Sequence, residues 1–195
     1  MENSPTQPPR MNGAESLVHT LIGNGLKVCF ANPGTSEMHF VAALDRIPGL
    51  RCIPGQQENV VTGMADGYGR VAREPSVTLL HCGPGLANGL ANLHNARKAR
   101  SPVLNIVGDQ ATYHAQYEPP LAMDTVKVAE TVSHWVRTAR DTAKLGADAA
   151  EAVQAARKAP GQIATLIVPS DISWNEGGAV APRLPALAVR PFDVA

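Results

Sequence analysis

Two side chains in this sequence stand where acid–base chemistry is commonly done. Glu58 opens "ENVVTGMADGYGR", and His81 ends "PSVTLLH". Each follows a short apolar run and precedes residues with helical spacing, so each marks a strand-to-helix junction. A glutamate in the first turn of a helix ordinarily meets the helix dipole. The neighbours of Glu58 suggest more. Val60, Val61 and Met64 are apolar, and Gly63 and Gly67 let another backbone or a flat ring approach closely. A carboxyl in apolar surroundings favours its acid form and can donate a hydrogen bond to a heterocycle nitrogen. His81, taken alone, reads as a structural hydrogen-bonding residue. Followed by Gly83-Pro84-Gly85, which reads as a tight turn, it leaves an imidazole at a rim, able to give or take a proton. That turn is not G-x-G-x-x-G, and no acidic residue completes a dinucleotide fingerprint.

The elements that must position these residues alternate along the chain. "ESLVHTLIG" has a helical stripe of Leu17, Val18, Leu21 and Ile22, with Asn12 as its cap and Gly23 and Gly25 at its end. "KVCFANPG" is a strand and turn. "TSEMHFVAALDRI" is a helix capped by Thr35 or Ser36, with Glu37 in its first turn. "LRCIPG", "PSVTLLH", "SPVLNIVGDQ", "SHWVRTA" and "GQIATLIVPSD" are further strands. "ENVVTGMADGYGRVAR", "LANGLANLHNARKAR" and "DTAKLGADAAEAVQAARKA" are further helices. Pro119 and Pro120 bar a helix from the irregular stretch near residues 111–124.

Alternation predicts a three-layer α/β/α domain around a mostly parallel sheet of about six strands. Strands apolar on successive residues, such as "VTLL" and "VLNIV", fit burial on both faces. Ligands then bind beyond the carboxyl ends of the strands. The residues there are Asn32-Pro33-Gly34-Thr35, Gln56-Gln57-Glu58, His81-Cys82-Gly83 and Gly108-Asp109-Gln110. Asp109 and Gln110 are rim residues without an assignable role. His19, His39 and His94 fall inside helices and read as surface or interface groups, while His114 belongs to a loop that could lie over the site. Asn88 and Asn92 share a helix face and read as contacts to water or a neighbouring chain.

Composition sets outer bounds. The chain has 195 residues, 44% of them hydrophobic and 17% charged, which suits one cored domain rather than disorder. Seventeen basic residues balance seventeen acidic ones, so nothing draws it to nucleic acid or an anionic membrane. No apolar run approaches the ~20 residues of a membrane span. The three cysteines, Cys29, Cys52 and Cys82, are odd in number, unpaired in spacing and set among apolar residues. They read as buried free thiols of a soluble, cytoplasmic protein with no metal site of its own. Residues 1–11 read as a disordered arm, 12–177 as the domain, and 178–195 as a linker or truncated tail.

Together, "FANPGTSEMHF", "QQENVVTGMADGYGR", "LHCGPGLANGLANLHNARKARSPVLNIVGDQ" and "APGQIATLIVPSD" resemble the N-terminal pyrimidine-binding domain of thiamine diphosphate-dependent enzymes. This is the family of acetolactate synthase, pyruvate decarboxylase and benzoylformate decarboxylase. The resemblance implies that Glu58 hydrogen-bonds N1' of the aminopyrimidine ring. That bond favours the imino tautomer, which deprotonates thiazolium C2. It implies cofactor contacts at Pro33, Gly34 and Gly83 as well. "NPGT" and "LHCGPG" are most similar to the benzoylformate decarboxylase branch, which implies substrate contacts for Thr35 and His81 and proton transfer by His81. Thr35 keeps the family serine's hydroxyl and adds a methyl.

The resemblance also marks what is missing. Family enzymes hold the diphosphate through Mg2+ on a second domain bearing Gly-Asp-Gly and a later Asn-Asn, and no such pattern is found here. The implied reading is one half of a 2-oxoacid decarboxylase or carboligase of acetolactate synthase-like type. It needs a diphosphate-binding domain or subunit as partner, reaches Mg2+ only through it, and forms a homo-oligomer. The alternative is a non-catalytic binding or regulatory module that retains the fold.

Overall fold

Asn12 starts the first helix as its sequence predicts. Its side chain accepts the Glu15 N–H at 2.8 Å, and the Glu15 carboxylate accepts the Asn12 N–H at 3.0 Å. This reciprocal cap satisfies two donors that the helix leaves unpaired. Helix α1 spans Gly13–Gly23 and buries Leu17, Val18 and Leu21. Gly25, at φ 82°, then turns the chain toward the sheet. The computed structural model describes residues 11–188. The arm expected over residues 1–11 therefore lies, apart from Met11, outside the described residues.

The strands are β1 (Val28–Asn32), β2 (Arg51–Pro54), β3 (Ser76–His81), β4 (Val103–Asp109), β5 (Trp135–Thr138) and β6 (Ile163–Pro169). The remaining helices are α2 (Met38–Arg46), α3 (Glu58–Ala72), α4 (Cys82–Asn88), α5 (Leu90–Ala99), α6 (Thr125–Glu130), α7 (Leu145–Ala156) and α8 (Ser170–Trp174). The sheet has six strands in the order β2-β1-β3-β4-β6-β5, and every pairing is parallel. Side chains alternate between its faces. Val77, Leu79, Leu104, Ile106 and Leu166 pack with α1, α2 and α7. Leu80, Val103, Val107, Ile163 and Ile167 pack with α3, α4, α5 and α6. The result is the three-layer α/β/α fold that the alternation predicts.

The topology decides where a site can form. From β1 the chain passes to β2 on one side, and it later returns to place β3 on the other side of β1. The strand order thus reverses at β1. The crevice beyond the carboxyl ends of β1 and β3 is the place where such sheets hold ligands.

Several local expectations differ from what the structure shows. Gly83-Pro84-Gly85 is not a turn but the first turn of α4, where proline's missing N–H costs nothing. The reversal from strand to helix happens instead at Cys82, in the left-handed region at φ 54°. The helix read through "LANGLANLHNARKAR" is split at Gly89. A Cβ there would lie 2.7 Å from Thr62 Cγ2, and Thr62 Oγ1 donates to the Gly89 carbonyl at 3.0 Å, so the break lets α3 pack close. Helices α6 and α8 escape a reading by periodicity because each is under two turns long. Thr35 and Ser36 cap nothing; they begin a 3-10 turn, Thr35–Glu37, ahead of α2. The described part of the tail runs extended along α1 and α7. Ala181 N–H donates to Thr20 Oγ1 at 3.1 Å, and Gln154 Nε2 donates to the Pro185 carbonyl at 2.7 Å.

Candidate functional site

Three chain reversals meet at the switch point. The first follows β1. Asn32 ties its amide to the Gly55 carbonyl beyond β2 at 2.8 Å, which joins the ends of the two strands. Pro33 and Thr35 are exposed and Gly34 is half-buried. Glu37, in contrast, is 3% exposed. Its Oε2 accepts the Gly34 N–H at 2.7 Å, so the loop folds back over its own glutamate. The capping role expected of Thr35 or Ser36 falls to this carboxylate. The Ser36 hydroxyl lies instead 3.5 Å from Cys82 Sγ.

The second reversal follows β3. His81 Nδ1 is 2.8 Å from Glu37 Oε2, across 44 residues of sequence. A Cβ on Gly34 would stand 2.5 Å from both Cε1 and Cγ of the imidazole, so Gly34 lies directly against the ring. A side chain on Gly108 would likewise run into Glu37 Oε1. Burial pushes the Glu37 carboxyl above its ordinary range, against the opposing pull of the Gly34 N–H and His81. Beside it, burial pushes the Cys82 thiol up to about 11, with Ser36 opposing and Glu37 and Asp109 adding to the rise. Asp109, at the end of β4, is also raised by burial, with only the Gln110 N–H opposing.

The third reversal places Glu58 at the head of α3. It is half-buried, and among the described residues no arginine pairs with it. Asn88 Nδ2 donates to Glu58 Oε2 at 3.2 Å. The surroundings are less apolar than the sequence suggests, since Val60 is 52% exposed and points away from the core. A Cβ on Gly85 would lie 3.2 Å from Glu58 Oε1 and 3.5 Å from His81 Cβ. Glycine at that position lets α4 pack close against both candidate groups. The group here that suits a pyrimidine edge is Glu58, whose Oε1 makes no hydrogen bond among the described residues and can meet a ring nitrogen.

Of the remaining expected contacts, Gly83 is buried beneath Met123, whose Cβ a side chain there would approach to 2.6 Å. It faces the 111–124 loop. His114 is in that loop and exposed, with its ring 6.4 Å from that of Tyr117. His19 and His94 are exposed on helices, and His39 stacks at 5.7 Å against Trp174. Sequence reasoning missed Glu37, which it read as a first-turn dipole residue, and Asn88. Neither carries a local signal, because each acts on a residue far away in the chain. Asn92 does not share a helix face with Asn88, because the break at Gly89 puts it on α5, where it donates to the Asn59 carbonyl at 2.7 Å.

Among the described residues, one group of three potential metal ligands exists: Glu37, His81 and Cys82. A thiol and an imidazole do not suit Mg2+, which takes oxygen ligands. The cysteines also separate by environment. Cys29 and Cys82 are buried as expected, but Cys52 is exposed, because β2 is the edge strand and has no layer over it. A hydrogen bond from Cys29 lowers the Cys52 thiol to about 7, against the rise that burial would give. Iodoacetamide at neutral pH is therefore expected to alkylate Cys52 first, and Cys52→Ser to abolish that fast phase. Mass spectrometry of the modified peptides reads the order. A first label on Cys82 would contradict the assignment.

The sequence matches the model of the thiamine pyrophosphate enzyme N-terminal TPP binding domain over residues 11–133. Over 185 residues it is 56% identical to the "Putative acetolactate synthase large subunit IlvX" of Mycobacterium tuberculosis, covering 94% of this chain and 36% of that protein. Over 154 residues it is 30% identical to the benzoylformate decarboxylase of Pseudomonas aeruginosa, covering 78% of this chain and 29% of that protein. The fold is shared with the thiamine diphosphate-dependent 4-hydroxybenzoylformate decarboxylase of Rhodococcus jostii, with a TM-score of 0.80 and 24% identity over 85% of this chain and 31% of that one. The chain thus spans about a third of the length of these relatives. Sequence and fold agree, and the chain belongs to the thiamine pyrophosphate enzymes as an N-terminal TPP binding domain.

Proposed function

We propose that this chain is the pyrimidine-binding half of a thiamine diphosphate-dependent 2-oxoacid decarboxylase or carboligase. The observation that carries the reading is Glu58 at the head of α3, near the end of β3, with Asn88 bonded to Oε2 and Oε1 without a hydrogen bond among the described residues. Thiamine diphosphate, when bound, supplies the carbanion chemistry. The residues of this chain do the rest of the work assigned to this half. Glu58 binds the pyrimidine edge through the oxygen that Asn88 leaves free, and Asn88 fixes the carboxyl plane through the other. Covering the half-buried Glu58 with a ring and a second domain would exclude water from its contact with the ring nitrogen. His81, backed by Glu37, presents its ring at the rim and moves a proton to or from the substrate. Thr35 and Pro33, exposed on the neighbouring reversal, line the same rim, with the Thr35 hydroxyl directed to a carboxylate of the substrate.

Mg2+ belongs to a diphosphate-binding partner domain in this reading, because the described residues offer no oxygen-rich cluster for it. A homo-oligomer brings that domain to this one. The three free thiols suit a reducing compartment, and we place the protein in the cytoplasm. The test combines the chain with the diphosphate-binding portion of a full-length relative, thiamine diphosphate and Mg2+. Release of carbon dioxide is then followed across a panel of 2-oxoacids. Release that requires both halves and the cofactor is expected. A mixture in which the halves associate and bind cofactor, yet release none from any 2-oxoacid, would point to a non-catalytic module.

A further inference from the structure

We propose that Glu37 is a positioning residue that holds His81 as the Nδ1–H tautomer, so that Nε2 alone exchanges a proton at the rim. The inference deepens the reading above, since it rests on His81 as the proton-moving group. The geometry that carries it is a buried carboxylate at 3% exposure whose Oε2 takes two partners, Gly34 N–H at 2.7 Å and His81 Nδ1 at 2.8 Å. Oε1 is buried without a hydrogen-bond partner among the described residues. The small cavity beside Glu37 is lined mainly by Leu17, Phe40, Leu79, Ile106 and Val168, with Ser36 and Ser173 as its polar members.

Helix-capping alone does not account for this arrangement. Satisfying the Gly34 N–H needs one neutral acceptor, and a serine or threonine serves that purpose without burying a charge. A carboxylate in such a setting is costly unless it has a charged or donating partner. Among the described residues no lysine or arginine reaches Glu37, and its sole ion-pair partner is His81. The other titratable groups nearby do not take the acceptor role. Cys82 Sγ is 3.7 Å from Nδ1, and its thiol is held protonated by burial. Asp109, which accepts the Gln110 N–H at 2.8 Å, makes no hydrogen bond to the ring among the described residues.

The consequence for proton movement follows from the inventory of the imidazole. A neutral ring carries one N–H and one lone pair. With Nδ1–H committed to Glu37, the lone pair sits on Nε2, which has no partner among the described residues. A proton accepted at Nε2 gives an imidazolium held against the Glu37 carboxylate. A proton released from Nε2 restores the neutral ring. Nδ1 keeps its proton throughout, so the proton moved always enters and leaves at the rim.

The chain as it stands tests this without cofactor or partner, so its outcome is separate from that of the reconstitution. With 15N in the histidine rings, NMR through long-range couplings reads which nitrogen carries the proton once the ring is neutral. His81 is identified as the signal lost in His81→Asn. The wild-type ring is expected to carry its proton on Nδ1. Glu37→Ala is expected to lose that preference, with Nε2–H appearing. Glu37→Gln is expected to restore it, because the Gly34 N–H draws the amide oxygen into the place of Oε2. A wild-type ring protonated on Nε2, or a folded Glu37→Ala chain that keeps Nδ1–H alone, overturns the proposal. Should Glu37→Ala fail to fold, the wild type and Glu37→Gln decide it, and Nε2–H in either counts against.

Discussion

Glu58→Gln, in the chain completed by a diphosphate-binding half, is expected to lose about 10²–10⁴-fold in turnover while keeping its fold, its affinity for the partner and most of its affinity for cofactor. The change is isosteric. Glutamine can still donate to a ring nitrogen and still meet Asn88, which contacts Glu58 at 3.2 Å. It cannot give up a proton or take one back. Binding and proton transfer therefore separate, and the loss should fall on kcat rather than KM. Exchange of the thiazolium C2 proton, followed by NMR after quenching, reads the same step directly. Near-normal exchange in the variant would remove Glu58 from the chemistry. Glu58 sits at a helix start, half-exposed, with no buried ion pair to break, so thermal stability should shift by less than about 1 kcal/mol.

Gly34→Ala is expected to lose both activity and stability through a local distortion caused by a single methyl. The backbone tolerates alanine, since Gly34 is extended at φ −121°. The obstacle is the imidazole. A Cβ would stand 2.5 Å from Cε1 and Cγ of His81, and the ring has to retreat by roughly 1 Å to reach normal contact. It cannot do so and keep its 2.8 Å contact with Glu37. A displacement of that size near reacting atoms costs about 10²-fold in rate. Overpacking adds about 1–3 kcal/mol of destabilisation. Turnover of the completed enzyme and a urea melt of the chain measure the two effects. Wild-type activity in Gly34→Ala would show that the ring's position does not matter.

Much of the fold was legible because its signals are local. Apolar runs at β3, β4 and β6 and helical stripes at α1, α3 and α7 repeat every two or every three to four residues, and such periods survive in any tertiary setting. The alternation of strand and helix then leaves few architectures, and a parallel sheet between helices is the one that buries both sets of faces. The elements that escaped reading were the shortest ones, α6 and α8, and the strand-to-helix reversal at Cys82. A left-handed cysteine has no sequence signal. Glycine and proline beside it drew the expected turn two residues too far along the chain.

The candidate site divides along the same line. By itself, the sequence determined that Glu58 and His81 stand at strand ends next to glycines, because strand, turn and helix start are set by neighbours within a few residues. Only the tertiary structure decided what each of them touches. Reversal of the strand order at β1 brings Glu37 onto His81 from 44 residues away and α4 carries Asn88 onto Glu58 from 30 residues away. Burial, tautomer and proton affinity depend on those contacts, and a pairing across the sheet leaves no periodicity in the chain that encodes it.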